Sequence, residues 1–215
     1  MEVDLLTFGL MVLTSFFTLI NPLGTMPVFM TMTGGLSSNQ RKITALKAVA
    51  VAFITLIIFA LSGNMIFSFF GISVNSLRMV GGFIFFAMGW DMLQARLSRV
   101  KMDKKNEIHE YVDDISVTPL AIPMIAGPGS ITNAIVLMGD AHTYSMKLVL
   151  VGGIGAILTA TFLILWSSSK ILNFIGETGN KVMMRLMGLI VMVIAVEFFF
   201  SGLKPILVDI IQASH

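Results

Sequence analysis

The sequence predicts an all-α membrane protein with six transmembrane helices, built as two inverted three-helix repeats in which helices 1 and 4 are broken at mid-membrane. Three observations predict this fold: an apolar composition, two helix-breaking motifs inside apolar runs, and an internal repeat. The 215 residues are 56% hydrophobic and only 12% charged, with a mean hydropathy of +0.90. Soluble domains contain about 25% charged residues, so an ordinary soluble domain is excluded.

Six apolar runs approach or exceed the roughly 20 residues that cross a bilayer. They cover residues 5–33, 45–70, 76–95, 117–139, 146–172 and 182–206. The first three runs form the first predicted repeat, residues 1–95, and the last three form the second, residues 117–215. The N-terminus carries Glu2 and Asp4 and lacks the positive charge and cleavage site of a secretory signal, so we expect the first span to be retained.

Lysine and arginine are distributed unequally between the two sides of the predicted bundle. With both termini outside, only Arg78, Lys147 and Lys204 of the 14 basic residues lie in outward segments. The inward ones are Arg41, Lys42, Lys47, Arg96, Arg99, Lys101, Lys104, Lys105, Lys170, Lys181 and Arg185. By the positive-inside rule, the sequence predicts a multi-pass protein of the bacterial inner membrane with both termini in the periplasm. The inward basic segments also explain the net charge of +2, so we expect contact with the lipid bilayer and no nucleic acid partner.

The longest connection, residues 96–116, is a predicted cytoplasmic loop that joins the two repeats. It mixes five basic residues with acidic residues at positions 103, 107, 110, 113 and 114. Such a loop is typical of a solvated connector, and a regulatory or partner-binding segment is the alternative.

The first predicted span is interrupted at residues 21–27, with the sequence Asn-Pro-Leu-Gly-Thr-Met-Pro. Proline has no N–H to donate and clashes with the preceding helical turn. Asn21 precedes Pro22 and is therefore pushed out of helical geometry. The fourth span carries a similar break at residues 126–133, Ala-Gly-Pro-Gly-Ser-Ile-Thr-Asn, preceded by Pro119 and Pro123.

Each break creates two half-helix ends inside the bilayer, where unpaired backbone survives only against protein or a water-filled cavity. The new N-termini carry free N–H groups and partial positive charge, and the new C-termini carry free carbonyls. Placed together, they would bind a small zwitterionic substrate. The candidate substrate-binding residues are Asn21, Pro22, Gly24, Thr25, Gly127, Gly129, Ser130, Thr132 and Asn133. The alternative is that proline and glycine only kink packed helices.

The third span of each half shares a sequence pattern. Residues 71–81 and 176–188 both contain Gly-x-x-x-Asn followed by Arg-x-x-Gly and an apolar run, with a two-residue insertion in the second copy. Because each copy holds three spans, the copies must be inverted relative to each other. Inverted repeats with interrupted helices at corresponding positions indicate a secondary transporter with a site near the midplane.

Of the charged residues in the predicted spans, four are candidates for function: Arg78, Asp91, Arg185 and Glu197. Ionisable residues in a membrane are candidates for function, and here we predict gating or proton coupling. Arg78 and Glu197 lie toward the outer face, and Arg185 and Asp91 toward the inner face, so cross-repeat pairs could form two gates. Glu197 lies deepest and is the first candidate to carry protons. The alternative is that these side chains snorkel to the interface or pair structurally.

Two stretches resemble the signatures of a known family. Residues 21–29, Asn-Pro-Leu-Gly-Thr-Met-Pro-Val-Phe, and residues 119–131, Pro-Leu-Ala-Ile-Pro-Met-Ile-Ala-Gly-Pro-Gly-Ser-Ile, are similar to paired motifs of the MarC family. The Arg185-x-x-Gly188 stretch, the length and the six spans fit as well. The family's SnatA-type members transport small neutral amino acids such as glycine and alanine and are driven by the proton gradient. The resemblance therefore implies proton-coupled amino-acid transport.

Other function classes remain as alternatives. An exporter of drugs or other small metabolites would have a wider, aromatic-lined cavity. An intramembrane enzyme would need paired aspartates, a serine with a histidine, or clustered histidines at one depth, and the sequence shows none, so no enzymatic activity is predicted. With no cysteine and three well-separated histidines, we expect neither a metal nor another cofactor. Transport direction, coupling ion and the existence of a homo-oligomer stay open.

Overall fold

The computed structural model describes residues 4–94 and 111–213, in which every regular element is a helix. The helices are α1 (Leu5–Ile20), α2 (Pro22–Met32), α3 (Ser38–Phe70), α4 (Val74–Leu93), α5 (Ser116–Ile125), α6 (Pro128–Asp140) and α7 (Tyr144–Ala213). α5 is a wide helix of the π type, and α7 is interrupted at Gly176. We call Tyr144–Ser168 the first arm of α7 and Thr178–Gln212 its second arm.

Four helical stretches of the described residues are long and apolar enough to cross a membrane. They are Leu5–Met32, Ser38–Phe70 and the two arms of α7. Tyr111–Ile125 and Pro128–Asp140 form a pair bent by 58° that provides a fifth candidate span if the pair crosses as one unit. The all-helical membrane architecture is therefore confirmed with four or five candidate spans. α4, the predicted third span, is less apolar because it includes Asn75, Arg78 and Asp91, and its crossing stays a prediction.

Several boundaries differ from the sequence prediction. α3 begins at Ser38 rather than near residue 45, because Ser37 and Gln40 form a reciprocal capping box that starts the helix earlier. A helix begins at Tyr111, inside the predicted loop, while the basic residues at positions 96–105 lie outside the described residues. The predicted connection between spans five and six is helical and is interrupted only at Gly176, which has a φ of 67°.

The bundle packs through narrow helix faces. α1 buries Phe8, Val12, Phe16 and Ile20, which recur every fourth residue and so lie on one side of the helix. The buried face of α3 consists mainly of alanines, at positions 45, 48, 52 and 60. Small side chains let helix backbones approach closely, which is the main source of helix association in a bilayer.

α4 and the second arm of α7 cross at their glycines. A Cβ atom added to Gly89 would lie 2.8 Å from the carbonyl oxygen of Gly188, and one added to Gly188 would lie 2.7 Å from that of Gly89. A Cβ atom on Gly82 would lie 2.7 Å from the carbonyl oxygen of Ala195. Residue numbers rise along α4 as they fall along α7, so the two helices run antiparallel.

We expect Gly188→Ala to destabilise the protein by roughly 1–3 kcal/mol, because the added methyl group overpacks the crossing. The measurement is thermal unfolding in detergent. Gly152→Ala is the matched control: its added Cβ meets nothing within 4 Å, and alanine is the better helix former by about 0.5–1 kcal/mol. The two changes should therefore shift the melting temperature in opposite directions, and equal shifts would contradict the close crossing.

Candidate functional site

The first break is a single residue, Asn21, between the end of α1 and the start of α2. Asn21 has a φ of 46° and a ψ of 65°, in the left-handed region. Its side-chain Oδ1 accepts a hydrogen bond of 3.1 Å from the N–H of Gly24 and so caps α2. A Cβ atom on Gly24 would lie 2.8 Å from the Asn21 Cγ, so only glycine leaves room for this folded-back side chain.

The hydroxyl of Thr25 contacts the carbonyl oxygens that the first break leaves at the end of α1. Its Oγ1 donates to the carbonyl oxygen of Asn21 at 3.2 Å and lies 3.4 Å from that of Ile20. Asn21 and Thr25 are both predicted substrate-binding residues. In the structure the Asn21 oxygen and the Thr25 hydroxyl satisfy the backbone of the break itself, and contact with a substrate stays a prediction.

The second break has a different geometry. Thr118 and Ile122, the residues before Pro119 and Pro123, are extended inside α5, as expected for residues that precede proline. α6 begins at Pro128, and no side chain caps its first turn. Its first N–H groups therefore have no cap comparable to Asn21 at the first break.

Two buried hydroxyls near the second break lack partners. Ser130 Oγ and Thr132 Oγ1 belong to residues that are 1% and 3% exposed, and neither makes a hydrogen bond to the part of the chain that the structure describes. Most buried polar side-chain atoms are hydrogen bonded, so such groups indicate a place where water or a ligand supplies the partner. Asn133 is engaged differently, since its Nδ2 donates to Ser15 Oγ on α1 at 2.9 Å.

The two breaks lie side by side. A Cβ atom on Gly129, in the first turn of α6, would lie 3.1 Å from Leu19 Cδ2, near the end of α1, and 3.3 Å from Phe198 Cζ. One on Gly127 would lie 2.6 Å from Phe85 Cζ. Leu19 and Phe85 also line a central cavity, so both breaks border the same region of the bundle.

This cavity is small, with a volume of about 40 Å³. It is lined by Thr18, Leu19, Ile20, Asn21, Gly24, Thr25, Phe85, Met88, Met92, Met124, Val191 and Ile194. The volume admits water-sized groups and is far below the roughly 300–1,000 Å³ of pockets for drug-sized ligands.

Three of the nine predicted substrate-binding residues line the cavity, namely Asn21, Gly24 and Thr25. The other six are not in its wall: Pro22, Gly127, Gly129, Ser130, Thr132 and Asn133. The structure thus brings the two breaks together, with the first break and Met124 facing the cavity and the first turn of α6 lying beside it.

The four charged candidates form no ion pair in this conformation. Asp91, Arg185 and Glu197 are exposed and Arg78 is half-buried. The crossing of α4 with α7 puts Arg78 beside Gly202, on the part of the second arm that also carries Glu197. Among residues 4–94 and 111–213, the one ion pair joins Lys47 to Asp113. A gating or proton-coupling role for these four residues stays a prediction.

Sequence reasoning missed the groups that hold the far end of α2. The Arg41 guanidinium donates to the carbonyl oxygens of Thr33 and Gly34 at 3.0 and 3.1 Å, and the Tyr111 hydroxyl donates to that of Met32 at 3.0 Å. A cation near a helix C-terminus is favourable, and this rule could have pointed to Arg41. Tyr111 gave no such signal, because the contact joins distant parts of the chain.

The fold and this site define a multi-pass integral membrane protein whose two broken helices border a small cavity. The description "MarC family integral membrane protein" belongs to the family model that matches residues 6–207. The chain therefore belongs to the MarC family.

Similar proteins occur in both archaea and bacteria. The chain is 38% identical to a UPF0056 membrane protein of Pyrococcus horikoshii over 191 residues, which cover 89% of this chain and 92% of the relative. It is 38% identical to the UPF0056 membrane protein YvbG of Bacillus subtilis over 200 residues, covering 92% and 95%. A UPF0056 membrane protein of Buchnera aphidicola is 34% identical, covering 96% and 97%. No solved structure matches the chain.

We expect Asn21→Ala to destabilise the protein by about 1–2 kcal/mol, because alanine removes the cap of α2 and is strained at a positive φ. Asn21→Gly removes the same cap but tolerates this conformation, so it should cost only a few tenths of a kcal/mol. Thermal unfolding in detergent measures both. Equal losses would show that the left-handed geometry of Asn21 does not matter for stability.

Proposed function

We propose that this protein is a secondary active transporter of small neutral amino acids, of the glycine and alanine type. Transport would proceed by alternating access of two inverted repeats around a substrate held between the broken helices. The observation that carries the proposal is the adjacency of the two breaks at one small cavity, beside buried hydroxyls without partners.

The inverted repeat is supported by glycines at matched positions. Gly71 and Gly176, which begin the matching stretches, have φ values of 64° and 67°. The helices that follow them, α4 and the second arm of α7, run antiparallel through their crossing. Two equivalent helices of inverted repeats must run antiparallel, as these two do. This favours α4 as a membrane-crossing helix, which would bring the number of spans to six.

The two kinds of helix end suit the two charges of an amino acid. The uncapped first turn of α6 and the Ser130 hydroxyl offer donors for the carboxylate. The ammonium group would lie toward the carbonyl end of α1, where Ile20 and Asn21 line the cavity. The small volume of this cavity favours substrates with short side chains. A second groove of about 320 Å³, lined by phenylalanines of α4 and α7, is the feature that the alternative, an exporter of drugs or other small metabolites, would use.

The orientation and the energy source belong to the same proposal. The excess of basic residues in the inward segments favours a place in the cytoplasmic (inner) membrane with both termini on the outer, periplasmic side. Protons are the proposed coupling ion, with Glu197 and Asp91 as the candidate carriers, because they are the carboxylates within the predicted spans 76–95 and 182–206.

Uptake of radiolabelled glycine and alanine into proteoliposomes, with and without an imposed pH gradient, tests the proposed function. We expect saturable flux that unlabelled small amino acids compete for, and a larger flux when the gradient is present. Empty liposomes provide the background. Absence of saturable flux for every small neutral amino acid would reject the transporter proposal.

The variant Ser130→Ala separates substrate binding from structure. Because Ser130 Oγ has no protein partner, its removal should leave the melting temperature unchanged. If the hydroxyl binds a carboxylate, the KM should rise about tenfold, since hydrogen bonds to charged groups contribute roughly 1.5–3 kcal/mol. A lower melting temperature with an unchanged KM would assign Ser130 a structural role.

The variant Glu197→Gln tests proton coupling. Glutamine keeps the size and polarity of the side chain but does not titrate, so we expect flux that no longer responds to the pH gradient. Asp91→Asn is the matched comparison on α4. Flux of Glu197→Gln that retains its full dependence on the gradient would remove Glu197 from the coupling mechanism.

A further inference from the structure

A buried polar contact joins α2 to the second arm of α7. The Asn180 Nδ2 donates a hydrogen bond of 3.0 Å to Thr31 Oγ1, which in turn donates to the carbonyl oxygen of Pro27 at 2.9 Å. Both side chains are buried, at 4% and 7% exposure. Met184 covers the contact, with its sulfur 4.0 Å from the Thr31 hydroxyl.

This contact lies between the central cavity and one end of the bundle. Thr25 lines the cavity, and Thr31 follows it roughly 9 Å further along α2, near that helix's C-terminus. On α7, Val191 lines the cavity and Asn180 lies roughly 16 Å from it toward the start of the second arm. α2 and α7 thus meet at a polar pair on the side of the cavity where α2 ends.

Among the described residues, the matched positions at the other end of the bundle hold no such pair. If α2 and α6 are matched by their first residues, Pro22 and Pro128, then Leu137 takes the place of Thr31. The repeat places Asn75 where Asn180 stands, and Asn75 is half-buried with no side-chain hydrogen bond to any residue in the described ranges. The Thr31–Asn180 contact therefore has no counterpart at the matched positions, and that side holds a different polar contact, from Asn133 to Ser15.

One unpaired polar atom at this contact destabilises the packed arrangement of the two helices. Asn180 Oδ1 is buried and has no hydrogen-bond partner. A buried acceptor without a partner destabilises the state that buries it. Separation of the two helices would let water reach both Asn180 and Thr31.

We propose that the Thr31–Asn180 contact is a gate that closes the α2 end of the bundle, which is the cytoplasmic end in the proposed orientation. The inference rests on the alternating-access part of the proposed function. The hydrogen bond favours the closed state, and the unpaired Oδ1 limits that preference, so the gate is reversible. Gly176, with its positive φ, lies one turn before Asn180 and is the place where the second arm can tilt.

Labelling of a cavity residue tests the gate directly, because the chain contains no cysteine. Met88→Cys places one thiol in the cavity lining. Its reaction with a membrane-impermeant maleimide is timed in inside-out vesicles and in intact cells. Adding Thr31→Val removes the hydroxyl at nearly constant volume, and we expect labelling from the cytoplasmic side to become about fivefold faster, as loss of one net hydrogen bond implies.

Two matched variants complete the experiment. Thr31→Ser keeps the hydroxyl and should label at the parent rate, while Asn75→Ala, the change at the equivalent position, should not accelerate labelling from the cytoplasmic side. Unchanged labelling in Thr31→Val, or equal acceleration in Asn75→Ala, would overturn the gate. Elution and melting temperature in detergent confirm that each variant is folded.

The labelling readout does not depend on a substrate. If Thr31→Val accelerates labelling while no amino acid is transported, the gate stands and the proposed substrate class falls. If amino-acid flux is present and the labelling rates of all variants are equal, the transporter proposal stands and the gate is wrong.

Discussion

The need to satisfy backbone hydrogen bonds inside a bilayer governs this structure. A broken helix leaves N–H and carbonyl groups that lipid cannot bind. At the first break the chain supplies the partners itself, through the Asn21 amide and the Thr25 hydroxyl. At the second break it does not, since α6 is uncapped and the hydroxyls of Ser130 and Thr132 have no partners. The chain itself therefore satisfies the first break, whereas the second leaves buried polar groups without partners among the described residues.

Close packing brings these two unlike breaks together. The glycine crossing between α4 and the second arm of α7 needs no polar contact to hold it, and Gly81 of α4 packs on Pro128 at the start of α6. Phe85 and Phe198 from the same two helices touch Gly127 and Gly129. The second break packs against the surface formed by α4 and α7. A substitution that shifts the crossing of these two helices is therefore expected to change the shape of the cavity as well.

The positions of the two helix breaks could be predicted from the sequence. The hydrogen-bond partners of the polar groups at these breaks could not. Proline and glycine act on their own neighbours, so the interruptions near Asn21 and Gly127 follow from residue order alone. Which oxygen is engaged depends on side-chain direction: the Asn21 amide folds back onto Gly24 only because the residue is left-handed. The Thr31–Asn180 contact joins positions 149 residues apart, which no local pattern indicates. The start of α3 at Ser38 could have been predicted from the capping box of Ser37 and Gln40. Hydropathy alone places the start later, because the first turns of α3 are polar.

The differences between the halves bear on how such a protein would work. Two identical inverted repeats would make the inward-closed and outward-closed arrangements equal in energy, because the pseudo-symmetry exchanges one for the other. In the proposed repeat the equivalents of Thr31 and Asn180 are Leu137 and Asn75, so that equality would be lost. In the proposed gate, the Thr31–Asn180 hydrogen bond, offset by the unpaired oxygen of Asn180, would give a bias small enough for a ligand at the cavity to reverse. A transporter with this bias would rest closed at the α2 end and would need bound substrate to open there.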